Sequence, residues 1–295
     1  MLVADDLQNF PQDRRCKLDN VTCAYCGVSL ENNATEDHVI GRNFIPKGTF
    51  SRSRPILVNA CCDCNTSVKC RLEAPLSSLS MQSDAWGEFA DDKLLDEARR
   101  KGSCESPTTK RRVDCSAETH TIKSTFLPGV ELSFNLTGPA SIDINDAFAL
   151  ARMQIIALCY WKTYDDQRRR GKFAIGSYYC PVSIAARNDW GNTRLAAFTK
   201  NVANWGLWLR RVEAEGFFKA VIREHPELPC WSWALEWNKN LRLVGFFGNL
   251  EAVRSALSDL PRSEGAVDSL VREATPLLQE RDFLFFGEDE RTLPA

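Results

Sequence analysis

The sequence predicts an α+β protein in two unequal parts, a small N-terminal unit over residues 21–75 and a larger mixed body over residues 121–295. Three observations carry this. Seven of the twelve cysteines fall before residue 71, two of the pairs at CxxC spacing. Seven of the eight tryptophans fall after residue 160. Between them, Lys101 to His120 is rich in Ser, Thr, Lys and Arg, the composition of an exposed connection. At 295 residues, with 44% hydrophobic and 26% charged residues, the chain is long and apolar enough to bury proper cores and to exclude wholesale disorder.

Residues 1–20 are polar and lack periodicity, so they read as a lead-in. They open MLVADDLQNFPQDRR, with acids before bases and no long apolar stretch, unlike a secretory leader. No apolar run approaches the roughly 20 residues needed to cross a bilayer. A cytosolic location without membrane contact is therefore expected, where thiols stay reduced or bind metal.

Residues 76–120 hold a helix and the connection. SDAWGEFADDKLLDEARRKG has helical character, with Gly102 placed to end it. Farther on, DAFALARMQIIALCYWKTY is apolar on nearly every face and predicts a buried helix. KFAIGSYYCPVSIAA, GFFKAVIRE, CWSWALEW and LRLVGFF read as strands, and GNLEAVRSALSDL as a helix. Alternation within CWSWALEW puts Trp231, Trp233 and Trp237 on one buried sheet face. The run Arg168 to Lys172 fits either a nucleic-acid contact or a basic helix end. His120 and His225 read as surface histidines. The later cysteines, Cys104, Cys115, Cys159, Cys180 and Cys230, read as small apolar fillers or idle thiols. No phosphate-cradling GxxxxGK[ST] or GxGxxG loop and no GxSxG elbow occurs. The net charge of −2 is that of an ordinary soluble enzyme, so any polyanion would meet only a local basic surface.

The chemistry concentrates in the first quarter. Cys23 and Cys26 form one CxxC knuckle, and Cys61 and Cys64 form a second, 35 residues after Cys26. Four thiolates so spaced suit a structural Zn²⁺, which stands in for a core too small to fold alone. Cys62 leaves the register of the second knuckle ambiguous. Between the knuckles, Thr35-Glu36-Asp37-His38-Val39-Ile40 places an acid directly before one of only three histidines, and Asn65 follows the second knuckle at the first turn of a helix. A purely structural zinc ribbon has no need of that set.

Together, CAYCG (Cys23 to Gly27), EDHVI (Glu36 to Ile40) and ACCDCN (Ala60 to Asn65) resemble the HNH, or ββα-metal, endonucleases over about a sixth of the chain. The resemblance implies a ribbon and helix gripping a catalytic Mg²⁺ or Mn²⁺, separate from the zinc. It assigns His38 as general base, Asp37 and Asn65 as ligands of the catalytic cation, and Asn59 as a brace of the ribbon through backbone hydrogen bonds. The sequence departs from the family at Gly41, where proline is common, and at Lys69, where some members carry another metal-binding histidine. Glu73, one turn beyond Lys69, is an alternative ligand.

Arg42, Lys47, Arg52, Arg54, Lys69 and Arg71 outnumber the nearby acids Glu36, Asp37 and Asp63, and predict a phosphate-gripping rim. The functional expectation is a metal-dependent endonuclease acting on DNA, with RNA left open. The setting is an anti-phage or toxin-like system in which the C-terminal body meets a partner protein or signal, or forms a homodimer. The alternatives are a catalytically inert zinc-finger module that binds nucleic acid, and a restriction or homing endonuclease.

Overall fold

Strand-forming residues lie between the two knuckles, and they pair. A computed structural model describes residues 16–31, 33–50, 55–81, 92–102, 118–127, 130–138, 144–172, 178–261 and 284–285. In it, β1 (Ala34–His38) runs antiparallel to β2 (Leu57–Cys61), with Glu36 opposite Asn59 and His38 opposite Leu57. Directly after β2 the chain winds into a helix. Its first turns, Asp63–Lys69, are π-wound, and α1 (Cys70–Leu79) continues them. Helix α2 (Asp92–Gly102) follows. Arg52, Arg54, Cys104, Cys115 and residues 1–15 lie outside the described residues.

A hairpin that the sequence did not suggest then follows. β3 (Glu118–Leu127) and β4 (Val130–Gly138) pair antiparallel, so the end of the expected connection, including His120, belongs to a strand. Helix α3 (Ile144–Lys162) is buried on several faces by Leu150, Ile155, Leu158, Tyr160 and Trp161. The basic run does not close this helix. It lies in a tight turn beyond it, with Arg169 at φ 51° and paired to Asp19 at 2.7 Å.

The remaining elements are β5 (Tyr178–Ala185), α4 (Thr193–Val202), β6 (Gly206–Glu213), β7 (Phe218–Glu224), β8 (Cys230–Trp237), β9 (Leu241–Gly248) and α5 (Leu250–Ser258). The strands form one antiparallel sheet in the order β5-β9-β8-β7-β6. Side chains alternate across a strand, and here both faces are covered. Val221, Ala234, Val244 and Phe246 pack under α4 and α5. The opposite face carries Ile222, Trp233, Leu235, Trp237 and Leu243, with Trp231 partly buried beside them, so the three tryptophans do share a face.

That second face also meets the finger, here residues 16–81. One continuous cluster holds Val39, Ile40, Phe44, Val58, Leu72 and Leu76 of the finger, the apolar residues of α3, and Trp237. Phe44 meets Trp237 edge-to-face at 5.2 Å. At the β8–β9 turn, Asn238 adopts φ 52°, which Asn tolerates, and its amide donates to the Phe44 main-chain oxygen (3.0 Å) and to Ser80 Oγ (2.7 Å). Asn240 donates to the Ser80 main-chain oxygen at 3.0 Å. Among the described residues, no helix is long and apolar enough to cross a membrane.

Candidate functional site

The two knuckles close on each other because Cys61 ends β2 while Cys23 and Cys26 lie in a turn beside it. That turn is held by Gly27 N–H to the Cys23 carbonyl (2.9 Å) and Cys23 N–H to the Val28 carbonyl (2.7 Å), with Gly27 at φ 77°. The sulfurs of Cys23, Cys26, Cys61 and Cys64 all lie within 4.8 Å of one another, and Cys26 and Cys61 are 3.8 Å apart. Four thiolates about 2.3 Å from a tetrahedral zinc would stand roughly 3.8 Å apart, so this group can hold a structural Zn²⁺. Cys62 is exposed and turned to Thr66, which resolves the register in favour of Cys61 and Cys64. Burial works against a Cys23 thiolate, but backbone hydrogen bonds with Cys61, Cys26 and Tyr25 outweigh it and lower its pKa. Burial and neighbouring sulfurs push Cys64 up, a repulsion that a bound cation would relieve.

The turn that gathers the four cysteines lays the helix across one face of the hairpin. Alternate residues of β1 face it, and residues one helical turn apart face back. Asn65 Nδ2 donates to Thr35 Oγ1 at 3.1 Å. The next rung pairs Asp37 with Lys69, whose Nζ lies 3.0 Å from Asp37 Oδ1. The same ammonium reaches Glu73 Oε1 at 3.1 Å and the His38 main-chain oxygen at 2.6 Å. The Tyr25 hydroxyl, from inside the first knuckle, donates to the other Asp37 oxygen. Asp37 and Asn65, which the resemblance assigns to one cation, therefore occupy successive rungs with different partners. Lys69, expected on the basic rim, is 1% exposed and turned inward. Burial disfavours its charge, but Glu73 and Asp37 outweigh burial and raise its pKa. Glu73 is itself raised, by burial first and by Asp37, against the pull of Lys69. The two directions agree physically, since two carboxylates share one ammonium.

Gly41 belongs to this site. Its N–H donates to Glu73 Oε1 at 3.0 Å, and a Cβ there would lie 2.2 Å from Glu73 Oε2. Proline would remove the donor and collide. The departure from the family at residue 41 thus accompanies a carboxylate at residue 73.

His38 and Asn59 project from the other face of the hairpin, by register. The imidazole is half-buried, with its ring centroid 6.2 Å from that of Phe50. Burial and then Arg42 lower its pKa, which favours the neutral ring. The Asn59 amide donates to the Asn20 main-chain oxygen (3.0 Å), while Asn20 binds both backbone groups of Asn59. The bracing contact thus fastens residues 18–20 to β2 rather than β1 to β2. Arg42, Lys47 and Arg71 are exposed, Arg42 close enough to act on His38. Sequence reasoning missed Tyr25, Thr35 and Asn20. Tyr25 alone left a signal, an aromatic placed between the two cysteines of the first knuckle.

Compared with known proteins, the chain matches no family model, no curated protein and no solved structure.

Proposed function

We propose that residues 16–81 form an HNH-type finger and that the protein hydrolyses phosphodiester bonds, with DNA the substrate to test first and RNA second. The observation that supports this best is the two-sided arrangement about β1. A neutral imidazole, His38, stands on one face, and a carboxylate pair, Asp37 and Glu73, is gathered on the other, within a unit stapled by four cysteines. His38 takes the proton of the attacking water through a ring nitrogen. Arg42 beside it supplies phosphate attraction.

The donor set for a catalytic cation is tested by what it already holds. Three oxygens, from Asp37, Glu73 and the His38 main chain, converge on the positive charge of Lys69. Hard oxygens gathered on a cation suit Mg²⁺ or Mn²⁺. These residues, rather than Asp37 with Asn65, would hold it, and it would supply charge stabilisation to the pentacovalent phosphate. Asn65 then serves as a positioning residue that holds β1 to the helix through Thr35.

The test is nicking of supercoiled plasmid with Mg²⁺, Mn²⁺ or EDTA, comparing the wild type with a His38→Ala variant of matched zinc content. Metal-dependent nicking that falls at least about a hundredfold in the variant is expected. Equal cutting by both proteins would remove His38 from the mechanism. A second reading, an inert zinc-stapled module, is favoured by one observation: Lys69 already neutralises part of the carboxylate charge. It gains if neither plasmid nor RNA is cut while nucleic acid still binds.

A further inference from the structure

We propose that Lys69 is a tethered cation occupying the finger's divalent-metal position, so that Mg²⁺ or Mn²⁺ enters only when this ammonium swings out. The inference rests on the proposed function only in treating the cage as catalytic; the competition itself is a matter of binding.

The ammonium is fully used. Its three donors meet three acceptors, Asp37 Oδ1 at 3.0 Å, Glu73 Oε1 at 3.1 Å and the His38 oxygen at 2.6 Å. Its charge nonetheless undershoots, because one ammonium faces two carboxylates. A divalent ion would balance both. The cage also has anchors that do not depend on the lysine. Tyr25 holds Asp37 from the zinc knuckle, and Gly41 holds Glu73 from the loop after β1. Withdrawing Lys69 therefore leaves two carboxylates already positioned for a hard cation.

A lysine is a point charge on a flexible four-carbon stem, so it can leave without unwinding the helix. Two cations cannot share three oxygens at these distances, since their repulsion in a buried site is large. The apparent affinity for the divalent ion is then the intrinsic affinity multiplied by the fraction of molecules with Lys69 outside. If that fraction is one in ten or less, removing the lysine tightens binding at least about tenfold.

The experiment titrates Mn²⁺ into zinc-loaded full-length protein and follows free Mn²⁺ by electron paramagnetic resonance. It compares the wild type with Lys69→Met, Lys69→Gln and the double variant Lys69→Met/Glu73→Gln. The expected result is one Mn²⁺ bound about tenfold or more tightly by Lys69→Met than by the wild type, with the gain lost in the double variant. Lys69→Gln keeps an amide donor without the charge, and it carries the comparison if Lys69→Met does not fold. Equal affinity in the wild type and the folded lysine variants overturns the proposal, and so does the absence of binding in both. The plasmid assay, run alongside, separates the two ideas: Mn²⁺ binding gained without nicking in any protein sinks the nuclease reading and leaves the tethered cation standing.

Discussion

The finger and the sheet each bury a charged cluster, and the two are built in opposite senses. In the finger one ammonium, Lys69, serves two carboxylates. In the sheet one carboxylate, Glu236, serves two cations: Arg242 binds it through Nε (3.0 Å) and Nη2 (2.9 Å), and Lys219 Nζ lies 2.7 Å from its other oxygen. The Arg242 guanidinium is further fixed 3.6 Å above the Trp190 ring. A forked, stacked guanidinium is specified by shape, and no small ion reproduces it. A lone ammonium amid oxygens is specified by little more than charge. The sheet cluster is thus an internal fastening, while the finger cluster is the one we propose to be exchangeable. The carboxyl groups reflect the difference. Burial raises Glu73, helped by Asp37, whereas Lys219 and Arg242 overcome burial and lower Glu236.

The largest effect expected from breaking this comparison comes from the metal. Stripping zinc with a chelator, or substituting Cys64→Ser, should remove an apparent stabilisation of about 10 kcal/mol or more from the finger. Because Val58, Leu76 and Trp237 share one core, the loss should pull the sheet down in the same transition. Thermal unfolding followed by tryptophan fluorescence checks this, and a sheet transition left unchanged by the chelator would show the two parts to be independent. Next in size, Lys69→Met and Arg242→Met should each cost about 3–5 kcal/mol in zinc-loaded protein without added Mn²⁺, since each strands buried carboxylate charge. Mn²⁺ should restore only the first, as read from urea midpoints with and without the ion. Restoration of both, or of neither, would erase the distinction between the clusters.

A smaller effect lies at the junction. Asn238→Ala should cost about 1–3 kcal/mol, because the buried Phe44 oxygen loses its donor. A midpoint unchanged from wild type would mean that water replaces the amide. The smallest is a trend with pH. The folded pKa of Glu236 lies below its unfolded value of about 4.3, so the stability it contributes is present above that pH and fades as pH falls through the folded value. The stability gap between the wild type and Glu236→Gln should therefore be widest near neutrality and close in acid. A gap that widened in acid would reverse the sign assigned to this cluster.

The four-cysteine group was legible because CxxC spacing is a local signal: residues three apart in a turn can face the same point. The tryptophan-bearing strand was legible for a similar reason, since its alternation is written in consecutive residues. Lys69 was misread because its partner Asp37 is 32 residues away, and its local partner Glu73, one turn on, makes a pair that an exposed helix face would also show. Strands β3, β4 and β6 were missed, β3 and β6 for composition. ETHTIKSTFL is polar enough to pass for a connection, and GLWLRRVE carries two arginines where apolar alternation was sought. The engagement of the finger by the sheet was invisible because Asn238 and Asn240 look like ordinary turn residues, and turn chemistry alone accounts for them.

That turn decides how portable the finger is. Residues 16–81 look like a cassette that could be cut out and fused elsewhere. Yet the Phe44 and Ser80 oxygens are finished by two asparagines about 160 to 190 residues downstream. A transplanted finger would carry bare acceptors and an uncovered phenylalanine into its new host. It would arrive less soluble than its size suggests unless the recipient supplied a comparable corner. A fusion that keeps the finger covered would have to carry Asn238 and Asn240 with it.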